Sequence, residues 1–418
     1  MLTRRGLLAA GALTAAAAAT TAGLAGCDPD PAVPDRVAPA VDFDPSNWDS
    51  VRTQFALDPD IANFTTFVFA SHAAGVRAAI AKHRDGLDRD PYRYLGEHEL
   101  ELEDAVARAA AGYLGTGADQ IAFTDSTTMG LGLLYSGLRL APGDEVLTTE
   151  HDFYSTHESL ALRAARDGAT VRRVRLYDES ERADADQIVA RLLAAVTPVT
   201  KVVAITWVHS STGVKLPVRR IADALDGPLL CVDGVHGFGI EDAGPAELGC
   251  DFLVSGTHKW LFGPRGTGLV WGRAEAWNRY TPVIPSFTGE DTPGRRATPG
   301  GYHSFEHRWA LAEAFALHAT IGRTRVAERT HTLAAALKDG LAGIAKVHLR
   351  TPRDPGLSAG IVCCEVDGLS AGEAVNRLRA AKVHASPTPY TPSYLRFGPS
   401  ILTTESDVDK ALAAVRAL

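Results

Sequence analysis

Between Leu229 and Leu269 the chain reads LLCVDGVHGFGIEDAGPAELGCDFLVSGTHKWLFGPRGTGL, and few architectures accommodate such a stretch. An apolar run from Leu229 to Val232 stops at Asp233; a second, from Asp251 to Ser255, stops at Gly256, Thr257, His258 and Lys259. Short apolar runs that end on polar residues are what buried parallel strands produce, and open α/β sheets bind ligands at the carboxyl ends of such strands. One strand end then offers the carboxylate of Asp233 and the imidazole of His236. The next offers Lys259, flanked by hydroxyl and imidazole groups. A lysine held against apolar walls loses its proton readily and attacks carbonyls to form a Schiff base. An aspartate opposite it suits a cofactor whose ring nitrogen must stay protonated, which is the requirement of pyridoxal phosphate.

Taken singly, Asp233 and Lys259 are ordinary polar residues at strand ends. Their combination is more specific, because VDGVH (232–236), SGTHKW (255–260) and GPRGTG (263–268) together resemble the class V aminotransferases of PLP fold type I. Within that family the chain is most similar to the branch containing isopenicillin N epimerase. The resemblance covers most of residues 60–418. It implies an α/β fold: a large domain with a mostly parallel seven-stranded sheet covered by helices, and a small C-terminal α+β domain. The expected division is 45–325 for the large, PLP-binding domain with its N-terminal segment, and 326–418 for the small one.

The first residues do not belong to that fold. Arg4 and Arg5 precede an alanine-rich apolar run that closes at Leu24-Ala25-Gly26-Cys27, which reads as a twin-arginine export signal over 1–26. The closing residues resemble a bacterial lipobox and make Cys27 the expected lipidation site. A transmembrane anchor is the alternative, but the run is weakly hydrophobic and interrupted by glycine. Residues 27–44, rich in Pro and Asp, read as a tether. The expected address is the outer face of the cytoplasmic membrane, through a lipid anchor alone, or the exterior. Export of folded protein suits an enzyme that captures its cofactor while folding. A net charge of −8 gives no basic footprint for nucleic acid. The other cysteines, Cys231, Cys250, Cys363 and Cys364, show neither zinc nor disulfide spacing and read as core residues.

Along the chain, strands are expected at 121–123, 145–149, 171–176, 201–208 and in the central stretch, with helices at 96–114, 184–196 and 218–225 between them. This alternation implies a parallel sheet covered on both faces. After the first strand, Ser126, Thr127 or Thr128 caps a helix, and helix N-termini bind phosphate through free N–H groups. The resemblance assigns the phosphate to Thr127 and Thr128, with Thr257 and His258 near it. It places a stacked ring at Phe153, with Tyr154 and His151 as alternatives; a core role for Phe153 is the competing interpretation. Residues 209–213 match a loop that approaches the cofactor from below. Phe287–Gly301 reads as a long polar loop, and the resemblance implies that Thr298 in it reaches the phosphate of a neighbouring subunit in a homodimer. Long helices at 304–322 and 326–344 follow, then a strand at 360–366 and helices at 370–382 and from Glu405. Arg396 matches the family's α-carboxylate ligand, a role for which its planar fork is suited.

The implied catalytic set is Lys259, Asp233 and His236: covalent attachment and proton transfer, protonation of the ring nitrogen, and a hydrogen bond to the ring hydroxyl oxygen. No metal is implied. A desulfurase needs a reactive Cys on a mobile loop before the substrate arginine, and segment 382–394 has none. Three readings remain: an epimerase or aminotransferase acting on an amino-acid-type substrate, a PLP lyase, and a surface lipoprotein that keeps the fold for binding alone.

Overall fold

Runs such as Glu145–Thr149 and Leu229–Asp233 are too short for helices and are apolar on consecutive positions, so each strand must be covered on both faces. The computed structural model, which describes residues 43–287 and 291–418, shows how this is achieved. After a short strand β1 (Ala62–Asn63), one sheet gathers β2 (Ile121–Thr124), β3 (Glu145–Thr149), β4 (Thr170–Val174), β5 (Thr200–Thr206), β6 (Leu229–Asp233), β7 (Phe252–Gly256) and β8 (Gly268–Gly272). Its order is β2-β8-β7-β6-β5-β3-β4. The pairs from β7 through β4 are parallel, and β8 runs antiparallel to both its neighbours. The sheet is therefore mostly parallel and seven-stranded, as expected.

Alternation of side chains divides the strands between two cores. Phe123, Leu147, Val203, Leu230, Val232 and Leu253 pack on one face. Ala122, Val146, Val202, Cys231, Phe252 and Val254 pack on the other, under Leu131, Leu134, Tyr135 and Leu160 of the helices Thr127–Gly137 and Tyr154–Asp167. All four described cysteines are buried and free.

The C-terminal layer is a four-stranded antiparallel sheet, from β9 (Val347–Leu349), β10 (Val362–Val366), β12 (Ser386–Pro387) and β13 (Leu395–Phe397), in the order β12-β13-β10-β9. Strand β11 (Val383–His384) pairs in parallel with β1. Ala62 and Phe64 therefore pack in the small core with Leu333, Val362 and Phe397. The N-terminal segment thus ties the two layers together instead of belonging only to the large one.

Some elements differ from the sequence expectation. Strand β8 was hidden between glycines in a loop-like stretch. The loop 287–301 contains a short helix, Pro293–Ala297, which the Thr292 side chain caps by accepting from the Arg295 N–H, with Pro at the first position. Asp90 and Pro91 similarly start the helix Pro91–Leu114 earlier than expected. The second long helix starts at Arg323 instead of Val326. The export signal, Cys27 and nearly all of the tether lie outside the described residues.

Candidate active site

The parallel strands end on one edge, and there the side chains singled out by sequence meet. A cavity of about 300 Å³ is lined by Thr127, Thr128, Phe153, Asp233, His236, His258, Lys259 and Arg396, together with Phe67, Ser210 and Tyr390. Strand order arranges them: Asp233 ends β6, Lys259 follows β7 on one side, and Phe153 follows β3 two strands away on the other. Asp233 would hold the ring nitrogen of a flat cofactor, with Lys259 and Phe153 reaching the same cavity from strands on either side of β6.

Asp233 is buried, and its carboxylate accepts one hydrogen bond within the protein, from the Val235 N–H at 3.1 Å. Burial pushes its acid up to about 7, against the pull of that N–H and of Lys259. Burial pushes the Lys259 ammonium down to about 8; Asp233 opposes the shift and Arg396 adds to it. Among the described residues Lys259 Nζ has no hydrogen-bond acceptor. A buried acid with spare lone pairs faces a half-buried amine that holds its proton weakly.

His236 is fixed by its neighbour. Trp260 Nε1–H lies 3.3 Å from His236 Nδ1, and an indole only donates, so Nδ1 accepts and the imidazole proton sits on Nε2. Burial holds this ring well below its ordinary value, so it stays neutral. His258 Nδ1 lies 3.3 Å from the Thr267 carbonyl, which places its proton on Nδ1.

The anion cradle is the start of the helix Thr127–Gly137. Ser126 caps it by accepting from the Met129 N–H at 3.1 Å, which leaves the N–H groups of Thr127 and Thr128 without intrahelical acceptors. The Thr127 hydroxyl accepts from the Gly256 N–H at 2.7 Å, so its own proton is free to donate. A Cβ at Gly256 would sit 3.0 Å from that hydroxyl and from the His258 ring; glycine there lets β7 close on the helix. The phosphate of the cofactor fits this donor set, and its ring nitrogen fits the under-satisfied Asp233.

Arg396 on β13 is buried. Its Nε and Nη2 donate to Ser386 Oγ at 3.2 and 3.1 Å, and Nη1 to the Ser210 carbonyl at 3.0 Å. The guanidinium also lies over Phe67, 4.4 Å from the ring centroid. An arginine has five N–H donors, so one proton on each terminal nitrogen is left for an end-on pair. No carboxylate among the described residues lies within ion-pair distance of it.

Other candidates are not brought into this cavity. Thr257 is buried with its hydroxyl 2.5 Å from that of Thr267. Thr298 donates to the Gly294 carbonyl at 2.9 Å and accepts from Phe123 N–H at 3.1 Å, beside a separate cavity of about 410 Å³. That larger cavity contains no lysine, and the chemistry belongs to the smaller one. Of the alternatives to Phe153, His151 stacks on Tyr177 at 3.9 Å and Tyr154 is exposed. Sequence reasoning missed Tyr390 and Phe67 as lining residues, and it named Ser210 only as part of the loop 209–213 expected near the cofactor. The one available signal for Tyr390 was its place in the segment before the arginine strand.

A half-buried lysine facing an aspartate across a phosphate cradle, on this sheet, defines a pyridoxal-phosphate enzyme of fold type I. The class V aminotransferase family model matches residues 96–387, and the chain belongs to that family, whose cofactor is pyridoxal 5′-phosphate. Isopenicillin N epimerase of Streptomyces clavuligerus is 27% identical over 401 residues, 89% of this chain and 98% of that protein. The isopenicillin N epimerase of Amycolatopsis lactamdurans is 28% identical over 74% of this chain and 82% of its own. Cysteine desulfurases of Serratia proteamaculans and Haloferax volcanii match about half of the chain, and a probable cysteine desulfurase of Mycolicibacterium paratuberculosis, 25% identical, matches 78% of it and 50% of its own length. Among solved structures, a variant of the cystine C–S lyase C-DES with glycine covalently linked to its PLP superimposes with a TM-score of 0.81 at 22% identity. It covers 87% of this chain and 98% of that one, a likeness of fold.

Proposed function

We propose that this protein transforms the α-carbon of an α-amino acid, or of a molecule ending in one, as an epimerase or aminotransferase. The observation that carries this reading is Arg396, a buried guanidinium with two free donors and no carboxylate partner among the described residues, in one cavity with Lys259. Buried cations need an anion, and a substrate carboxylate supplies one in bidentate geometry. Its amine then points toward Lys259.

Pyridoxal phosphate supplies a cationic conjugated ring that accepts the electron pair left at the α-carbon when a proton leaves. The protein does the rest. Asp233 accepts from the ring nitrogen's proton and keeps it in place. His236 Nε2–H is available to the ring hydroxyl oxygen. Lys259 is the covalent anchor and, once released, the base that moves the α-proton, a role suited to an amine that titrates near 8. Phe67 and Phe153 exclude water from the walls.

Sulfur transfer is not part of this proposal. Among the described residues no cysteine lines the cavity, and burial raises the thiols of all four, that of Cys363 to about 12. The exposed Val68, Phe69, Leu100, Phe287 and Tyr302 support a homodimer in which Thr298 approaches the partner's phosphate; sedimentation as an active monomer would remove it. The proposed address is the outer face of the cytoplasmic membrane, reached by the twin-arginine signal and held by lipid on Cys27. Arg4→Lys with Arg5→Lys should block export.

The test of the reaction is incubation with a panel of L-amino acids in deuterated water without a keto acid. Racemised, α-deuterated amino acid identifies an epimerase, and stoichiometric conversion of the cofactor to its amine form identifies an aminotransferase. Loss of a β- or γ-substituent would instead mean a lyase. A panel that leaves the cofactor spectrum unperturbed would contradict the reading.

A further inference from the structure

Inverting an α-carbon requires the proton to leave from one face and return to the other. Lys259 serves one face. The titratable residues on the loop after β3 do not qualify to serve the other. Asp152 is buried and committed, accepting from Thr148 Oγ1, Thr149 N–H and Thr206 N–H, each at 2.7 Å. His151 is stacked on Tyr177, its Nε2 accepting from the Leu176 N–H at 3.3 Å. Tyr154 faces solvent.

Tyr390 occupies the vacant position. It comes from the small layer, in the segment before β13, and its ring meets Phe153 edge-on with centroids 6.0 Å apart. Phe153 follows β3 and Lys259 follows β7, on opposite sides of β6 and Asp233 in the sheet, and Tyr390 packs against Phe153. Its hydroxyl lies 2.9 Å from Ser210 Oγ, and the Ser210 carbonyl accepts from Arg396. Tyrosine, serine and the carboxylate-binding arginine therefore form one interlocked unit within the cavity.

The geometry points to Tyr390 as the proton carrier on the face of the substrate α-carbon opposite Lys259, so that the two residues together invert an α-amino acid. The inference rests on the α-carbon reading above. In one direction the Cα–H bond breaks, its proton passes to the neutral Nζ of Lys259, and the electron pair stays with the substrate. A new Cα–H bond then forms on the far face with the proton of Tyr390 Oη. Lys259 is left as an ammonium and Tyr390 as a phenolate, and a proton passed from one to the other through solvent resets the pair. The reverse direction uses the same atoms in opposite roles. Burial raises the phenol above its ordinary value, so it holds its proton until a carbon base takes it; Ser210 and Arg396 favour the phenolate and limit that rise.

The experiment compares the holoenzyme with its Tyr390→Phe variant in deuterated water, using an L-amino acid that the unaltered enzyme racemises. The variant should incorporate deuterium at Cα within a few-fold of the unaltered rate but return L product, with racemisation reduced about 100-fold or more, the scale of a lost general acid. Two readouts do not depend on turnover. Cofactor affinity should stay within about twofold, because Tyr390 bonds no donor of the phosphate cradle, and an α-methyl amino acid, which has no α-proton, should still change the absorbance. Ser210→Ala should reduce racemisation less, with the same retention of exchange. Undiminished racemisation by Tyr390→Phe would overturn the inference, as would exchange and racemisation falling together. Exchange with strict retention in the unaltered enzyme would overturn it alone, whereas no α-exchange across the panel would overturn the parent reading and this inference with it.

Discussion

Among the described residues burial pushes two lysines, one in each layer, down to about 8: Lys338, which is buried, and Lys259, half-buried at the cavity. Lys338, on the helix Arg323–Ala342, spends its ammonium on fixed acceptors: the Pro352 carbonyl at 3.0 Å, the Arg353 carbonyl at 3.2 Å and Ser358 Oγ at 2.6 Å. Lys259 has no acceptor among the described residues and faces a cavity with Asp233. The same displaced equilibrium thus serves two ends. A satisfied buried lysine closes off carbonyls and holds a small domain together, whereas an unsatisfied one is poised to react.

The largest expected effect comes from exchanging these roles. Lys259→Ala should abolish covalent cofactor attachment and lower α-proton exchange by about 10³-fold or more, while thermal unfolding shifts little because no hydrogen bond is lost. Lys338→Met should do the converse. Exchange should persist, and stability measured by urea unfolding should fall by about 1–3 kcal/mol, since three buried acceptors lose their donor. A Lys338 variant that loses the cofactor adduct but keeps its stability would contradict this division of roles.

A pH series sharpens it. In the unfolded chain each lysine holds its proton up to its ordinary value of 10.5, but in the fold it releases it near 8. Between those values the unfolded state binds more protons, so the stability of cofactor-free protein should rise with pH through that window, by up to about 1.4 kcal/mol per pH unit for each lysine. Below about 8 the cost of burial is fully present. Each single Lys→Met variant should show a shallower rise. The rate of covalent cofactor capture, by contrast, should follow Lys259 alone and climb with a midpoint near 8.

The smallest effect is expected at Thr128, exposed at the cradle and outside any core. Thr128→Ala should weaken cofactor binding by about 3- to 10-fold, one hydrogen bond's worth, with stability unchanged.

The legible part of the site was the part written along single strands. Asp233 and Lys259 each follow an apolar run, and adjacency of β6 and β7 was enough to bring them together. What depended on side-chain direction was not legible. Thr257 precedes Lys259 by two residues yet turns to Thr267, and His151 precedes Phe153 by two yet turns to Tyr177. Tyr390 was invisible for a different reason: its relation to Lys259 rests on the order of β7, β6 and β3 and on the docking of the small layer. Strand β8 escaped notice because a five-residue run between glycines carries no periodic signal of its own.

The proposed chemistry requires that Lys259, and not another lysine, anchor the cofactor. Borohydride reduction of the holoenzyme followed by peptide mapping tests it directly. One reduced pyridoxyl adduct is expected, on the peptide carrying Ser255-Gly256-Thr257-His258-Lys259, and none on Lys338. An adduct on Lys201, Lys215 or Lys338 with Lys259 unmodified would contradict it.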